Sequence, residues 1–190
     1  MLSLSLTINL QAKPKWLGVW LVSFLSLTLA SAQNEKDLET LSIFSELVKA
    51  KNYTAAYSPW MELRARNPKF NKAIFIYGER ILDYKIDNSE GEEKISFIRD
   101  LLNLWKERKA VFPNVTPTGA YLAKACQLEY EYRTLLSKTK TALYTAFDNA
   151  YTADSKTFTN PKSLYTYFSL IVDLYDESQK TAQELFSKYD

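Results

Sequence analysis

Apolar residues step along this chain by threes and fours. Leu38, Leu41, Phe44 and the pair Leu47-Val48 form one such stripe, a spacing that places them on one face of a helix. Lys51-Asn52 interrupts the stripe. Asn52 suits the N-cap of a second helix carrying Tyr53, Ala56, Tyr57, Trp60 and Leu63, because its side-chain oxygen can accept from a first-turn N–H. Asn67-Pro68, Thr116-Pro117 and Asn160-Pro161 each read as a capping residue followed by proline at the first helical position, where the missing N–H costs nothing. These marks predict eight helices, over about 36–50, 53–66, 69–86, 92–110, 117–134, 137–152, 161–175 and 177–189. No segment alternates with the period of two that marks a half-buried strand. Asp87 to Gly91 and Pro113 to Thr116 are the clearest loops, and both are short, so successive helices are expected to be antiparallel neighbours in an all-α fold.

One pattern occurs twice. Trp60-x-Glu62-x-Arg64-Ala65-x-x-Pro68 returns 45 residues later as Trp105-x-Glu107-x-Lys109-Ala110-x-x-Pro113. A large aromatic at a fixed distance before a helix-stopping proline marks a repeated helical unit, and such units bury their apolar faces on one another as a solenoid. Lys49 to Pro68 resembles the second half of a tetratricopeptide repeat, with Asn52-Tyr53, Ala56, Trp60 and Pro68 at the family's distances. Tyr77-Gly78 stands where that family has a large and then a small residue in its first helix, and Leu122-Ala123 lies 45 residues further on. The resemblance covers residues 37–113 and departs from the family in three ways. The spacing is 45 and then 48 residues, Pro113 to Pro161, against a usual repeat of about 34. Leu63 replaces a small residue, and Pro59 lies inside the second helix, where it removes a hydrogen bond to Ala55 and is expected to kink the axis.

The secreted tetratricopeptide-type proteins of the Bacteroidota are similar in the style of their first repeat. The resemblance implies antiparallel helix pairs stacked as a short α-solenoid that binds a protein or peptide segment in its concave groove. Outward positions of the first helix in each pair line that groove in the family. Carried across, they are Lys72, Phe75, Glu79 and Asp83 in one repeat and Lys124, Gln127 and Leu128 in the next. Both charge signs beside Phe75 imply a polar segment with one apolar anchor.

The first 32 residues read as a cleavable signal. Lys13 and Lys15 are basic, Trp16 to Leu29 is an uncharged run of 14 residues, and Ala30-Ser31-Ala32 supplies small residues for a cut before Gln33. A membrane span wants about 20 apolar residues, so a retained anchor is the lesser alternative. The expectation is therefore a signal over 1–32 and a helical-repeat domain over 33–190, periplasmic or secreted, with no stable membrane insertion after cleavage. The last residues, Phe186 to Asp190, supply no polar closing helix. A solenoid end needs such a cap, so the expectation is either a last helix that frays or a domain truncated at its C-terminus.

Charge and composition narrow the chemistry. The formal net charge is +2 and falls to zero without Lys13 and Lys15, leaving no electrostatic reason to seek nucleic acid. There is no histidine and one cysteine, Cys126, so His-dependent triads, His-ligated zinc and cysteine clusters cannot be built. Cys126 maps 45 residues after Ile81 and reads as a small buried hydrophobe. Trp60 and Trp105 read as core, and Lys106, Arg108 and Lys109 as a solvated helix face. Asp87-x-Ser89-x-Gly91-Glu92 lacks the later ligands of a calcium loop and reads as an acidic turn. Asn52-Tyr53-Thr54 and Asn114-Val115-Thr116 match the glycosylation sequon, a pattern common by chance. Glu79 with Asp83, like Glu129 with Arg133, is an ordinary pair on one helix face. The sequence therefore points to a non-enzymatic scaffold without cofactor or metal. The competing expectation is an enzyme or small-molecule binder with a pocket between helices, favoured by the 13 Tyr, 10 Phe and 4 Trp.

Overall fold

The computed structural model describes the backbone of residues 17–188 and the side chains of residues 33–188. The basic start of the expected signal, Lys13 and Lys15, lies outside the described residues. Among those described there are eight helices and no strand: α1 (Leu17–Lys49), α2 (Tyr53–Arg66), α3 (Ala73–Asp87), α4 (Gly91–Val111), α5 (Thr118–Glu131), α6 (Lys140–Ala153), α7 (Pro161–Asp176) and α8 (Ala182–Phe186), with a 3-10 turn at Pro113–Val115. The fold is all-α. No described helix is long and apolar enough to cross a membrane.

The chain divides into two units, Met1–Glu39 and Thr40–Asp190. In the first, α1 starts earlier than its amphipathic stripe and runs unbroken through the expected cut before Gln33. Neither glycine nor proline occurs between residues 19 and 58 to stop it.

In the second unit, α2 packs on α3, α3 on α4, α4 on α5, α5 on α6, α6 on α7 and α7 on α8, and α5 also meets α7. Two apolar cores result. The first takes Phe44 and Val48 from α1, Trp60 and Leu63 from α2, Ile74, Phe75 and Ile81 from α3, Ile98, Leu101 and Trp105 from α4, and Leu128 from α5. The second takes Ala123 and Cys126 from α5, Leu143 and Phe147 from α6, Phe158 from the following loop, Leu170 and Leu174 from α7, and Leu185 from α8.

Trp60 shows how α2 and α3 come so close. Its side chain is fully buried and its indole N–H donates to the Ile74 carbonyl at 2.8 Å. The ring lies where Gly78 has no side chain, since a Cβ there would sit 2.5 Å from Trp60 Cζ2. Trp105, its echo, is also buried, but its indole nitrogen finds no hydrogen-bond partner. The echo therefore repeats burial without repeating the polar contact.

Several boundaries correct the expectation. Asn160 caps α7 as foreseen, accepting from the Ser163 N–H at 3.0 Å with Pro161 just inside. Asn52 likewise accepts from Ala55 at 3.2 Å. Asn67 instead closes α2, its N–H bonding the Leu63 carbonyl, so Pro68 stops one helix and α3 begins only at Ala73. At the third site Pro117 itself is the cap residue and the Thr116 hydroxyl makes no bond. Helix α2 runs through Pro59. The helix expected over 177–189 shrinks to Ala182–Phe186, started by Thr181 and Glu184, each side chain bonding the other's backbone N–H.

The Trp60–Gly78 contact yields a first prediction. Gly78→Ala should lower stability by about 1–3 kcal/mol through overpacking, and Trp60→Ala by about 3–5 kcal/mol through the cavity it leaves. In a Trp60→Phe background, which removes the atoms facing Gly78, the cost of Gly78→Ala should shrink. A double-mutant cycle in chemical denaturation checks this coupling.

Candidate binding face on α3 and α5

Three carboxylates recur at four-residue steps along α3: Glu79, Asp83 and Asp87. This spacing puts them on adjoining turns of one side. Helix α5 brings Lys124 across to them, its ammonium bonding Glu79 Oε1 at 2.5 Å and lying 5.6 Å from the Trp105 ring centre. Glu79 and Lys124 are 45 residues apart, so equivalent positions of the two repeat copies meet. One further step, Glu131 Oε1 accepts from Lys162 of α7 at 2.5 Å. Among the described residues no cation bonds Asp83. The protein atoms crowding its carboxyl push its pKa up to about 6, aided by the charges of Glu79 and Asp87 and opposed by Lys124.

The residues expected to face a partner separate into two groups. Lys72, Glu79, Asp83 and Lys124 keep access to solvent. Phe75 does not. Its ring is 1% exposed and meets Phe112 edge-on at 5.9 Å, because position 75 faces the α4 side of α3. Leu128 also belongs to the first core. Gln127 is buried and donates to Glu131 Oε1 at 3.1 Å. Helix α5 is packed by α4, α6 and α7, which leaves it a narrower free face than an outer helix keeps. Phe75, Gln127 and Leu128 are thus corrected from contact residues to packing residues.

Sequence reasoning missed a charged cluster between α2 and α4. Arg64 is 7% exposed, bonds Asp100 at 2.9 Å and Glu107 at 2.8 Å, and lies 5.2 Å from the Trp60 ring centre. Burial alone would weaken its charge, but the two carboxylates more than offset this and its pKa rises. The repeated pattern held the signal, since Arg64 of the first copy pairs with Glu107 of the second. Lys109, the counterpart of Arg64, turns instead to the Thr116 carbonyl at 2.8 Å.

A second concavity lies by α6 and α7. Its volume is about 460 Å³, and Tyr151, Leu164, Tyr167, Phe168, Ile171 and Lys188 are among its walls. Tyr167 stacks on Tyr144 and Phe147 and donates its phenol hydrogen to Asp148. Asp148 also accepts from Lys188 at 2.5 Å. Burial works against ionisation of Asp148, but the bonds from Lys188 and Tyr167 leave its carboxyl below the ordinary value. Cys126 is buried, and burial pushes its thiol up to about 12, far from a reactive thiolate. Among the described residues no group of histidine, cysteine and carboxylate side chains is arranged to hold a metal ion.

Compared with known proteins, the chain matches no family model, no curated protein and no solved structure.

Asp83 gives a pH prediction. A carboxyl whose pKa is raised on folding makes the folded state bind more protons than the unfolded one between about pH 4 and 6. The ionised form therefore weighs on stability above about pH 6, and the penalty vanishes toward pH 4. Asp83→Asn should stabilise the protein at pH 7.5 by less than about 1 kcal/mol, since solvent screens an exposed group, and should be neutral at pH 4. Thermal melts of both proteins across this range measure it.

Proposed function

We propose that this protein is a non-enzymatic scaffold, a short tetratricopeptide-like α-solenoid that holds an extended segment of another protein against α3 and α5. The observation that carries the reading is the row Glu79, Asp83 and Asp87, where Lys124 bonds only the first. The consecutive packing of the helices and the 45-residue echo support the repeat architecture. With Phe75 in the core, the partner's chemistry changes from an apolar anchor to positive charge. A segment bearing lysine or arginine would lie along the carboxylate row and offset the like-charge repulsion that adds to burial in raising Asp83, and such complementarity favours specificity and fast encounter.

Binding of a Lys/Arg-rich peptide to the full chain, read by fluorescence anisotropy, tests this. Affinity should fall with added salt and fall again as pH drops through about 6, because protonating Asp83 removes the charge the peptide meets. Glu79→Gln combined with Asp83→Asn should weaken binding by roughly tenfold, which is about 1.4 kcal/mol. Equal binding of a Glu-rich peptide, or undiminished binding by the double variant, would sink the reading.

The place of action we propose is the periplasm or the cell exterior, reached by a signal over residues 1–32. The support is Lys13 and Lys15, the apolar run and the small residues before Gln33. N-terminal sequencing of the protein from its own cells should begin at or near Gln33, and an intact cytosolic chain would refute export. A second reading, a receptor for a small aromatic or apolar molecule, draws on the cavity beside Tyr151, Tyr167 and Phe168, whose volume falls within the usual range of ligand sites.

A further inference from the structure

Helix α7 carries more apolar surface than its own fold buries. Its inward side includes Tyr167, Leu170, Ile171 and Leu174. Leu164, Phe168, Val172 and Tyr175 follow one another at steps of four, four and three, which sets them along an adjoining side of the same helix, with Tyr165 next to them. Phe168 and Val172 are partly buried against the second core, but Leu164 is 37%, Tyr165 75% and Tyr175 40% exposed. Of the nine large apolar side chains exposed among the described residues, five lie here, counting Tyr151 of α6 and Phe186 of α8, the two helices that flank α7 in sequence. An apolar side chain exposed singly needs no explanation, whereas such a gathering marks a surface that another molecule covers.

The charges on α7 say what kind of molecule. A helix favours acids at its start and bases at its end, yet α7 has no acid in its first turn and no base in its last. Lys162 stands in the first turn and Lys156 in the loop before it, while Asp173, Asp176 and Glu177 stand at the far end. Lys162 bonds Glu131 but keeps 68% of its side chain exposed. Lys140 bonds Asp173 and Glu177, and among the described residues Asp176 and Lys156 are exposed and make no ion pair. The apolar stripe therefore has a basic end and an acidic end, each set against the helix's own dipole. Turned end for end, this pattern is its own complement. Positions 162 and 176 lie just outside the two ends of the stripe, so a second α7 laid antiparallel along the first sets Lys162 of each copy beside Asp176 of the other. Leu164 then meets the other copy's Tyr175, and each charge comes to the end of the opposite helix whose dipole favours it. A parallel arrangement would bring like charges together. Self-complementarity under a half-turn is what a two-fold interface requires.

We infer that the exposed side of α7 is a self-association surface, on which a second copy of this chain lays its own α7 antiparallel to form a two-fold dimer. The stripe from Leu164 to Tyr175 is about 17 Å long at 1.5 Å per residue, so the contact is centred on three helical turns. This surface is separate from the acidic row on α3, and the inference stands whether or not a basic segment binds there.

Sedimentation velocity on the full chain, over a dilution series, tests this. A contact built on one helix is at the small end of specific interfaces, so the dimer should dissociate on dilution through about 10–100 μM and more readily with added salt. Lys162→Glu and Asp176→Lys should each weaken dimerisation by roughly tenfold, because each homodimer then meets like charges at both ends. An equimolar mixture of these two variants should dimerise again, since one copy of each regains an opposite-charge pair at both ends. Tyr165→Ser should also weaken the dimer, while Lys106→Gln, at an exposed residue of α4, should leave it unchanged. Circular dichroism melts of every variant establish that the fold is retained, so that lost association is not lost structure. Restored dimerisation in the mixture confirms the antiparallel two-fold pairing. A wild-type chain that stays monomeric throughout overturns the inference and leaves the face to a partner of another sequence. A dimer indifferent to the α7 changes, or a mixture that stays monomeric, overturns it equally.

Discussion

The contact between the Trp60 ring and the bare backbone at Gly78 governs how closely α2 can approach α3. A tryptophan is too large to bury fully against a helix that presents a side chain at the same level, and here the missing Cβ makes the room. The indole N–H then needs an acceptor in an apolar setting, and the Ile74 carbonyl one turn earlier on α3 supplies it. Leu63 and Ala56 follow Trp60 inward, and Ile81 and Leu82 follow Gly78. The row of carboxylates on α3 is directed by the same event. Fixing Gly78 under the ring fixes which side of α3 turns inward, and Glu79, Asp83 and Asp87 are what the other side carries.

Charge is organised by burial on two faces of the same helices. Between α2 and α4, Arg64 is enclosed and matched by two carboxylates and a ring face, an arrangement costly to desolvate and costlier to break on one side only. Along α3 the opposite holds, since three acids share one near cation and all keep access to solvent. The first arrangement is self-sufficient and fixes the position of two helices. The second is incomplete within the chain, which is why it offers an outside group something to do.

Periodicity made the helices legible, because burying one stripe of each helix leaves its mark on which residues are apolar. It made Trp60, Trp105 and Cys126 legible as core for the same reason. Caps were less secure. Asn-Pro marks a helix start at Asn160 but a helix end at Asn67, since the same proline that suits a first turn also forbids continuing the previous one. The face of each helix was harder still. Transferring outward positions from a family with shorter repeats put Phe75 and Leu128 outside, whereas α5 is surrounded by three helices and α3 turns position 75 toward Phe112. Such pairings depend on inter-helix geometry, which no single stripe records. The orphan donors around Trp105 were invisible for the same reason, because Trp105 sits in the same pattern as Trp60 and only the neighbouring chain shows that its acceptor is missing.

Helix α5 belongs to both apolar cores. Leu128, with Tyr121 and Ala125 packed beside it, faces the first, while Ala123 and Cys126 face the second. Its start is also tied to the α6–α7 loop, where the Gly119 N–H donates to Asp154 and Thr157 and leaves no space for a Cβ. Neither core can lose its order without stripping one side of this helix. Denaturation of the Thr40–Asp190 unit is therefore coupled across its whole length, and two cores that might have melted in sequence are joined into a single cooperative transition. Cutting the chain between α4 and α5 would not release an independent half, because the N-terminal fragment would lose the helix that covers its core and the C-terminal one would expose the face of α5 that packs on that core.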